Sequence, residues 1–253
     1  MLTEKRQEEI VKLVRERESI TVQELKDIFQ ASESTIRRDI TALDKKGRLT
    51  KVFGGAIAIQ DSKIVKQELS VRQKQELQTR EKLAIAKYAA SFIEPDDCVY
   101  LDAGTTTGSM LEYIKEPGAT YITNAVAHAK RLAEMGFHVI LIGGELKSST
   151  EAVVGAEAVL NIQKYHFSKG FFGMNGIHQK MGFTTPDINE AIVKQCAVRN
   201  TQPGSRFFLG TGQKFGQICA VTFAEFEGSV ILTENVPEDN FWRSLDIRCV
   251  QTD

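Results

Sequence analysis

The sequence predicts an α/β protein of two domains: a small N-terminal winged helix-turn-helix and a larger C-terminal domain built on a largely parallel sheet. Three observations carry this expectation. Short, capped helical patterns fill the first fifty residues and run into a Gly54-Gly55 turn. From Cys98 onward, strand-like and helix-like segments alternate, as they do where helices cover both faces of a parallel sheet. The chain has 253 residues, so a first unit of about 55 leaves nearly two hundred for one sizeable core. The expected boundaries are 1–57 for the first domain, 58–79 for a connector and 80–253 for the second domain.

Residues from about Thr3 to Glu18 place apolar Ile10, Leu13 and Val14 in an otherwise charged helix. Thr21 is suited to cap a second short helix that buries Val22, Leu25 and Phe29. A third begins after Ser32, where Ile36, Ile40 and Leu43 recur at i, i+4 and i+7 and form one apolar stripe. At 100° per residue, Ser34, Arg38, Thr41 and Lys45 lie on the opposite face, flanked by Thr35 and Arg37. Leu49, Val52 and Phe53 with Gly54-Gly55 then form a two-stranded wing that carries Arg48 and Lys51.

This is the plan of a module that reads double-stranded DNA. The N-terminal residues of the second helix of a helix-turn-helix meet base edges in the major groove, here Ser34, Thr35, Arg37 and Arg38, while Thr41, Lys45, Arg48 and Lys51 suit the flanking backbone. The overall formal charge of −1 argues against nucleic acid only until charge is read by region. Between residues 33 and 56, Arg37, Arg38, Lys45, Lys46, Arg48 and Lys51 outnumber Glu33, Asp39 and Asp44.

Gln60 to Gln67 is polar and lacks periodicity, so it reads as part of the connector. The charged pattern that starts at Glu76 turns apolar at Leu83, Ile85, Ala86 and Ala89, as a first helix of the second domain would. Strands are expected at Cys98–Leu101, Thr120–Thr123, Val139–Ile142, Gly170–Gly173, Phe207–Leu209, Val230–Leu232 and Ile247–Val250, with helices from about Gly108 and about Ala125.

In such sheets ligands bind beyond the carboxyl ends of the strands. Asp102-Ala103-Gly104-Thr105-Thr106-Thr107-Gly108 follows the first strand and opens a helix, so backbone N–H groups, the helix dipole and three hydroxyls converge as they would on an anion. The stretch has neither GxxxxGK[ST] nor GxGxxG, which argues against a nucleotide guest. Thr123-Asn124, Gly143-Gly144-Glu145, the 173–176 stretch with Asn175, Thr184-Thr185 and Lys214 add further loops, most of them directly after strands. Thr, Asn and Glu suit sugar hydroxyls, and Lys214 suits a phosphate. Glu190 and Lys194 lie one turn apart on a helix that Pro186 is placed to open. They are read either as pocket residues or as an exposed i,i+4 ion pair.

Cys98, Cys196, Cys219 and Cys249 form no CxxC pair and have no histidine at zinc spacing, so they read as buried small hydrophobes of a reduced, cytoplasmic protein. No secretory leader, membrane span or cofactor is expected.

Several segments together resemble the DeoR family of bacterial transcriptional repressors. They are Thr35-Ile36-Arg37-Arg38-Asp39, Leu49-x-Lys51-Val52-x-Gly54-Gly55-Ala56, Glu81-Lys82-x-x-Ile85-Ala86, Leu101 to Thr107, Thr123-Asn124, Gly143-Gly144 and the 173–176 stretch. The resemblance covers nearly the whole chain. It implies a sugar-phosphate-isomerase-like C-terminal domain, and a phosphorylated sugar whose binding changes operator affinity. Phe172 to Ile177 with Thr184 to Glu190 is most similar to repressors of fructose operons, for which fructose 1-phosphate is the expected effector. Repressors of the lactose and tagatose 6-phosphate pathway are the nearest alternative.

Two positions depart from the family pattern: Phe53 stands where the wing usually has His, and Thr211 replaces an Asp three residues before Lys214. The implied effector residues are Asp102, Gly104, Thr105, Thr106, Thr107, Thr123, Asn124, Gly143, Gly144, Asn175, Glu190, Lys194 and Lys214. A sugar-phosphate isomerase or deaminase is the contrasting expectation. It is disfavoured because Asn175, an amide that exchanges no proton, stands where such enzymes favour Asp. A homodimer or homotetramer is expected to set its recognition helices on repeated half-sites, with the effector shifting the population of domain arrangements.

Overall fold

The computed structural model describes residues 3–17, 19–46, 48–52, 54–58, 63–64 and 71–252. The chain separates into two compact units, Met1–Asp61 and Ser62–Asp253.

The first unit contains α1 (Thr3–Arg17), β1 (Ser19–Thr21), α2 (Val22–Phe29), α3 (Glu33–Lys45), β2 (Thr50–Val52) and β3 (Gly55–Ile57). Thr21 caps α2 in a reciprocal box: its side chain accepts from Glu24 N–H, and the Glu24 carboxylate accepts from Thr21 N–H at 2.8 Å. Ser32 caps α3 by accepting from Thr35 N–H. Ile36, Ile40 and Leu43 are buried with Ile10, Val14, Leu25 and Leu49, so the expected stripe seats α3 on its own core. The wing has three strands, not two, in the order β1-β3-β2. Ser19-Ile20-Thr21 is too short for periodicity to reveal, and it gains strand geometry only by pairing antiparallel with β3. Phe53 lies outside the described residues.

The second unit begins with β4 (Lys63–Ile64), α4 (Val71–Glu76) and α5 (Thr79–Ala90). Strand and helix then alternate through β5 (Cys98–Leu101), α6 (Thr105–Met110), β6 (Thr120–Thr123), α7 (Val126–Glu134) and β7 (His138–Leu141). A hairpin of β8 (Glu145–Lys147) and β9 (Ala152–Val154) leads to α8 (Ala156–Ile162), β10 (Lys169–Gly173), β11 (Gly176–His178), β12 (Gly182–Thr185) and α9 (Ile188–Arg199). The chain ends with β13 (Arg206–Leu209), β14 (Gln217–Ile218), β15 (Val221–Ala224), β16 (Ser229–Thr233), α10 (Asn240–Arg243) and β17 (Ile247–Cys249).

Seven strands pair in parallel in the order β17-β16-β13-β10-β5-β6-β7. Alternate residues bury on opposite faces. Val99, Leu101, Phe171, Phe207 and Leu209 pack with α5, α6 and α7, whereas Tyr100, Phe172, Phe208 and Ile231 pack with α8, α9 and Trp242 of α10. Burial on both faces explains why these strands read as apolar runs. From β5 the chain winds outward one way through β6 and β7 and the other way through β10, so the order reverses between β5 and β10. That reversal opens the crevice where open α/β sheets bind ligands.

Four details differ from the sequence reading. The helix expected from about Gly108 begins at Thr105, because the threonines themselves supply its first turn. The expected connector is partly structured: β4 pairs with β14, and α4 is helical, both within the second unit. The helix α9 opens at Asp187, which accepts from Glu190 N–H, rather than at Pro186. Of the four cysteines, all free thiols, only Cys219 is fully buried and Cys249 is exposed.

Candidate functional site

On α3, Ser34, Arg37, Arg38 and Lys45 are exposed, and Thr35 and Thr41 are half-buried. Arg48 and Lys51 on the wing are exposed as well. Arg37 pairs with Glu33 one turn earlier at 2.7 Å, and Thr41 both donates to Arg37 O and accepts from Lys51 Nζ. Lys51 N–H donates to Asp44 at 2.9 Å, which ties the wing to the recognition helix. Arg38 has no ion pair or side-chain hydrogen bond among the described residues and points its guanidinium to solvent. Asp39, counted by the sequence reading as a charge of the surface, is instead buried and accepts from Arg6 at 2.7 Å and Gln7 at 2.9 Å. It locks α1 to α3 and leaves the exposed face of α3 richer in cations than its sequence suggests.

In the second unit the crevice between β5 and β10 holds Asp102, which is fully buried. Its Oδ2 accepts from Gly173 N–H at 2.9 Å and from the Lys194 ammonium, while its Oδ1 is buried with no partner among the described residues. Burial pushes the Asp102 carboxyl above the usual range, against the opposing pull of Lys194. Lys194 also donates to Gly173 O. Glu190, one turn before it, is buried too, but it does not pair with Lys194. Its Oε1 accepts from Lys147 at 3.1 Å and from Thr150 at 2.5 Å. Of the two readings the exposed i,i+4 pair is absent, because each residue has a better-placed opposite charge in the tertiary fold.

The Gly104–Thr107 turn is held from within. Thr107 Oγ1 donates to Asp102 O at 2.7 Å and to Gly104 O. Thr105 is half-exposed and Thr106 buried, and neither side chain bonds within the described residues. Gly108 has no room for a side chain: a Cβ there would lie 2.9 Å from His128 Nε2. His128 is buried on α7, and burial lowers its pKa to about 4. Sequence reading passed over it, since a histidine in a helix carries no local signal of what it faces.

Five further expected site residues are engaged within the fold or turn the chain. Asn124 is buried and its amide is engaged within the fold: Oδ1 accepts from Tyr100 OH and Ala103 N–H, and Nδ2 donates to Val153 O. Thr123 likewise donates to Leu101 O and accepts from Ala125 N–H. Both position the loop after β5. Gly143 and Gly144 are exposed beyond the edge strand β7 and turn the chain into the β8–β9 hairpin. Gly144 adopts φ +148°, and a Cβ would approach Val154 O to 2.7 Å. Asn175, at the end of β10, is half-buried and its Oδ1 accepts from Thr185 Oγ1 at 3.1 Å.

Lys214 is half-buried on a 3₁₀ turn after β13 and has no ion-pair partner among the described residues. Burial and then the neighbouring Lys74 hold its pKa below the ordinary lysine value. Lys82, buried on α5, is lowered by burial, Lys214 and Lys74, and its ammonium donates to Lys74 O. Three lysines thus converge closely enough to repel one another, with Glu81 acting in the opposite sense on Lys82. The α5 helix that carries Lys82 packs directly on α6. Among these three, sequence reading had singled out only Lys214 as a site residue, because the convergence of α4, α5 and the turn after β13 is tertiary. Thr211 is buried, and its hydroxyl donates to Gln78 Oε1 at 2.6 Å.

Residues 6–62 match the DeoR-like helix-turn-helix domain, and residues 77–234 match the DeoR C terminal sensor domain. The chain belongs to the DeoR family. It is a DeoR-family transcriptional repressor with an N-terminal DNA-binding unit and a C-terminal sensor unit. It is 36% identical to an uncharacterized HTH-type transcriptional regulator FruR of Bacillus subtilis, over 99% of this chain and 100% of that protein. It is 38% identical to a lactose phosphotransferase system repressor of Staphylococcus aureus, over 78% of each chain. Among solved structures, a ribose 5-phosphate isomerase A of Methanocaldococcus jannaschii is similar at 11% identity and a TM-score of 0.37; the overlap spans about half of each chain, 53%. No helix among the described residues of this DeoR-family protein is long and apolar enough to cross a membrane.

Proposed function

We propose that this repressor controls a sugar-utilisation operon in the cytoplasm and responds to a phosphorylated sugar, with fructose 1-phosphate the best candidate. The observation that carries the reading is the convergence of Lys74, Lys82 and Lys214, cations held in a partly buried place where they repel one another. A phosphate dianion relieves that repulsion, and no neutral sugar does. Thr105, Thr106 and the N–H groups of the first turn of α6 supply the donors around it. Asp102 supports the sugar end: its orphaned Oδ1 is an acceptor awaiting a hydroxyl, with Lys194, Glu190 and Asn175 nearby. The resemblance of Phe172 to Ile177 and Thr184 to Glu190 to fructose-operon repressors favours fructose 1-phosphate over other sugar phosphates.

The same residues argue for binding without turnover. Glu190 is tied to Lys147 and Thr150, Asn175 offers an amide, and Asp102 is ion-paired with Lys194 through Oδ2, which leaves its Oδ1 to accept a hydrogen bond. Ser34, Thr35, Arg37 and Arg38 read base edges, Thr41, Lys45, Arg48 and Lys51 hold the phosphodiester backbone, and a homodimer or homotetramer presents them to repeated half-sites.

Calorimetric titration with fructose 1-phosphate, inorganic phosphate and fructose tests the effector reading. Binding is expected for the sugar phosphate, weaker for phosphate and absent for fructose, and Thr105→Glu is expected to abolish it by placing a carboxylate against the lysines. Unaltered binding by Thr105→Glu would move the site away from this loop.

A further inference from the structure

The β8–β9 hairpin touches three elements of the second unit. At its base, Val153 exchanges hydrogen bonds with Asn124, whose Oδ1 also accepts from Ala103 N–H in the loop after β5. Along its length, Lys147 pairs with Glu190 and Asp187, each at 3.1 Å, and Thr150 donates to Glu190. At its tip, Ser149 O accepts from Val71 N–H at 3.3 Å. Val71 is the first residue of α4, which carries Lys74, and in sequence α4 follows the segment that leads out of the DNA-binding unit.

The hairpin therefore connects both ends of the proposed effector site. Glu190 lies one turn from Lys194, which holds Asp102 at the sugar end, and Lys74 belongs to the phosphate end. An effector that draws Lys74 onto its phosphate and a hydroxyl onto Asp102 changes the geometry of both attachments together. The two glycines that flank the hairpin adopt positive φ, +148° at Gly144 and +92° at Gly155, so its orientation is set by what it grips rather than by continuous strand at its base.

We infer that the 145–154 hairpin is the coupling element of this sensor, with Lys147 and Thr150 acting through Glu190 as positioning residues that link occupancy of the effector site to α4. The inference rests on the effector reading above but makes a claim that can fail separately. It predicts residues whose loss disconnects the two activities without abolishing either.

The test uses the full chain, Lys147→Gln/Thr150→Val, and the milder Thr150→Val alone in case the double variant folds poorly by circular dichroism. The first readout needs no ligand: hydrogen exchange of the 71–76 segment is expected to speed up in the variants, because the grip that holds Ser149 against Val71 is loosened. The second readout is operator affinity by fluorescence anisotropy, on a duplex selected by the wild-type protein from a random library, with and without fructose 1-phosphate. Wild type is expected to show coupling of about 5- to 150-fold. The variants are expected to bind the free operator as wild type does and still to bind the sugar phosphate, with the coupling ratio at saturating sugar phosphate falling toward one. Unchanged exchange in 71–76, or wild-type coupling in a folded variant, overturns the inference. If wild type itself fails to bind fructose 1-phosphate, the effector reading falls and the exchange result still decides whether the hairpin grips α4.

Discussion

Lys194 and Asp102, 92 residues apart in sequence, form a buried ion pair across the crevice where the strand order of the main sheet reverses. The pair joins α9 to the loop that opens α6, and the same Asp102 oxygen also accepts from Gly173 N–H at the end of β10.

Replacing Lys194 with Met strands a buried carboxylate, and the expected loss is about 3–5 kcal/mol near neutral pH. The Asp102 carboxyl already titrates above its unfolded value. The penalty is therefore full above the folded pKa and fades as pH falls through it, when the carboxyl becomes neutral. Urea unfolding of the variant and wild type at about pH 7.5 and about pH 5 should show the smaller difference in acid. An equal difference at both would place the damage in packing rather than in the stranded charge.

The crowded lysines trade stability for affinity. With their folded pKa values depressed, Lys82 and Lys214 bind fewer protons folded than unfolded at pH values between the depressed value and 10.5, so the ligand-free protein gains stability as pH rises through that window. Lys214→Met is expected to flatten that rise and leave the unfolding midpoint equal or higher, while weakening sugar-phosphate binding roughly 10- to 100-fold. Thermal melts across alkaline pH and calorimetry together check it. A variant that loses stability and keeps affinity would remove Lys214 from the anion site.

His128 is buried neutral, its pKa lowered from the ordinary 6.5 to about 4 by burial. Between those values the unfolded chain takes up a proton that the folded one refuses, so stability falls with acidification, on the order of 3 kcal/mol by pH 4. His128→Phe should lose this component of the acid sensitivity of the second unit, measured by the pH dependence of its urea midpoint. An unchanged slope between about pH 6.5 and about pH 4 would assign the acid loss to other groups.

Arg38 and Asp39, neighbours on the recognition helix, are expected to fail in opposite ways. Arg38→Ala should weaken operator binding by about 1–3 kcal/mol with no change in melting temperature, since Arg38 has no partner among the described residues. Asp39→Asn should leave the exposed face intact but lower the stability of the first unit by about 1.5–3 kcal/mol, because Arg6 loses a charged acceptor. Anisotropy titrations and thermal melts on both variants separate the roles. Equal loss of stability in the two would contradict the assignment.

Local patterning was enough to determine the helix-turn-helix. The caps at Thr21 and Ser32, the Ile36-Ile40-Leu43 stripe and the Gly54-Gly55 turn are interactions among residues a few positions apart, so period and residue type decide them. The parallel sheet was legible for a related reason, since strands buried on both faces must be apolar throughout. The glycine-threonine loop after β5 was visible as a turn into a helix, with its start misplaced by three residues. Only the tertiary structure decided which charges meet. Glu190 and Lys194 are ideally spaced to pair on one helix, yet each is taken by a residue from another element, Lys147 and Asp102, because desolvated charges go to whichever partner the packing brings closest. Asn124 offered a ligand contact by its position after β6, and the fold instead bonds its amide to Tyr100, Ala103 and Val153. Lys74 and Lys82, eight residues apart on successive helices, meet Lys214 from the far end of the second unit, and spacing along a sequence carries no record of such a meeting.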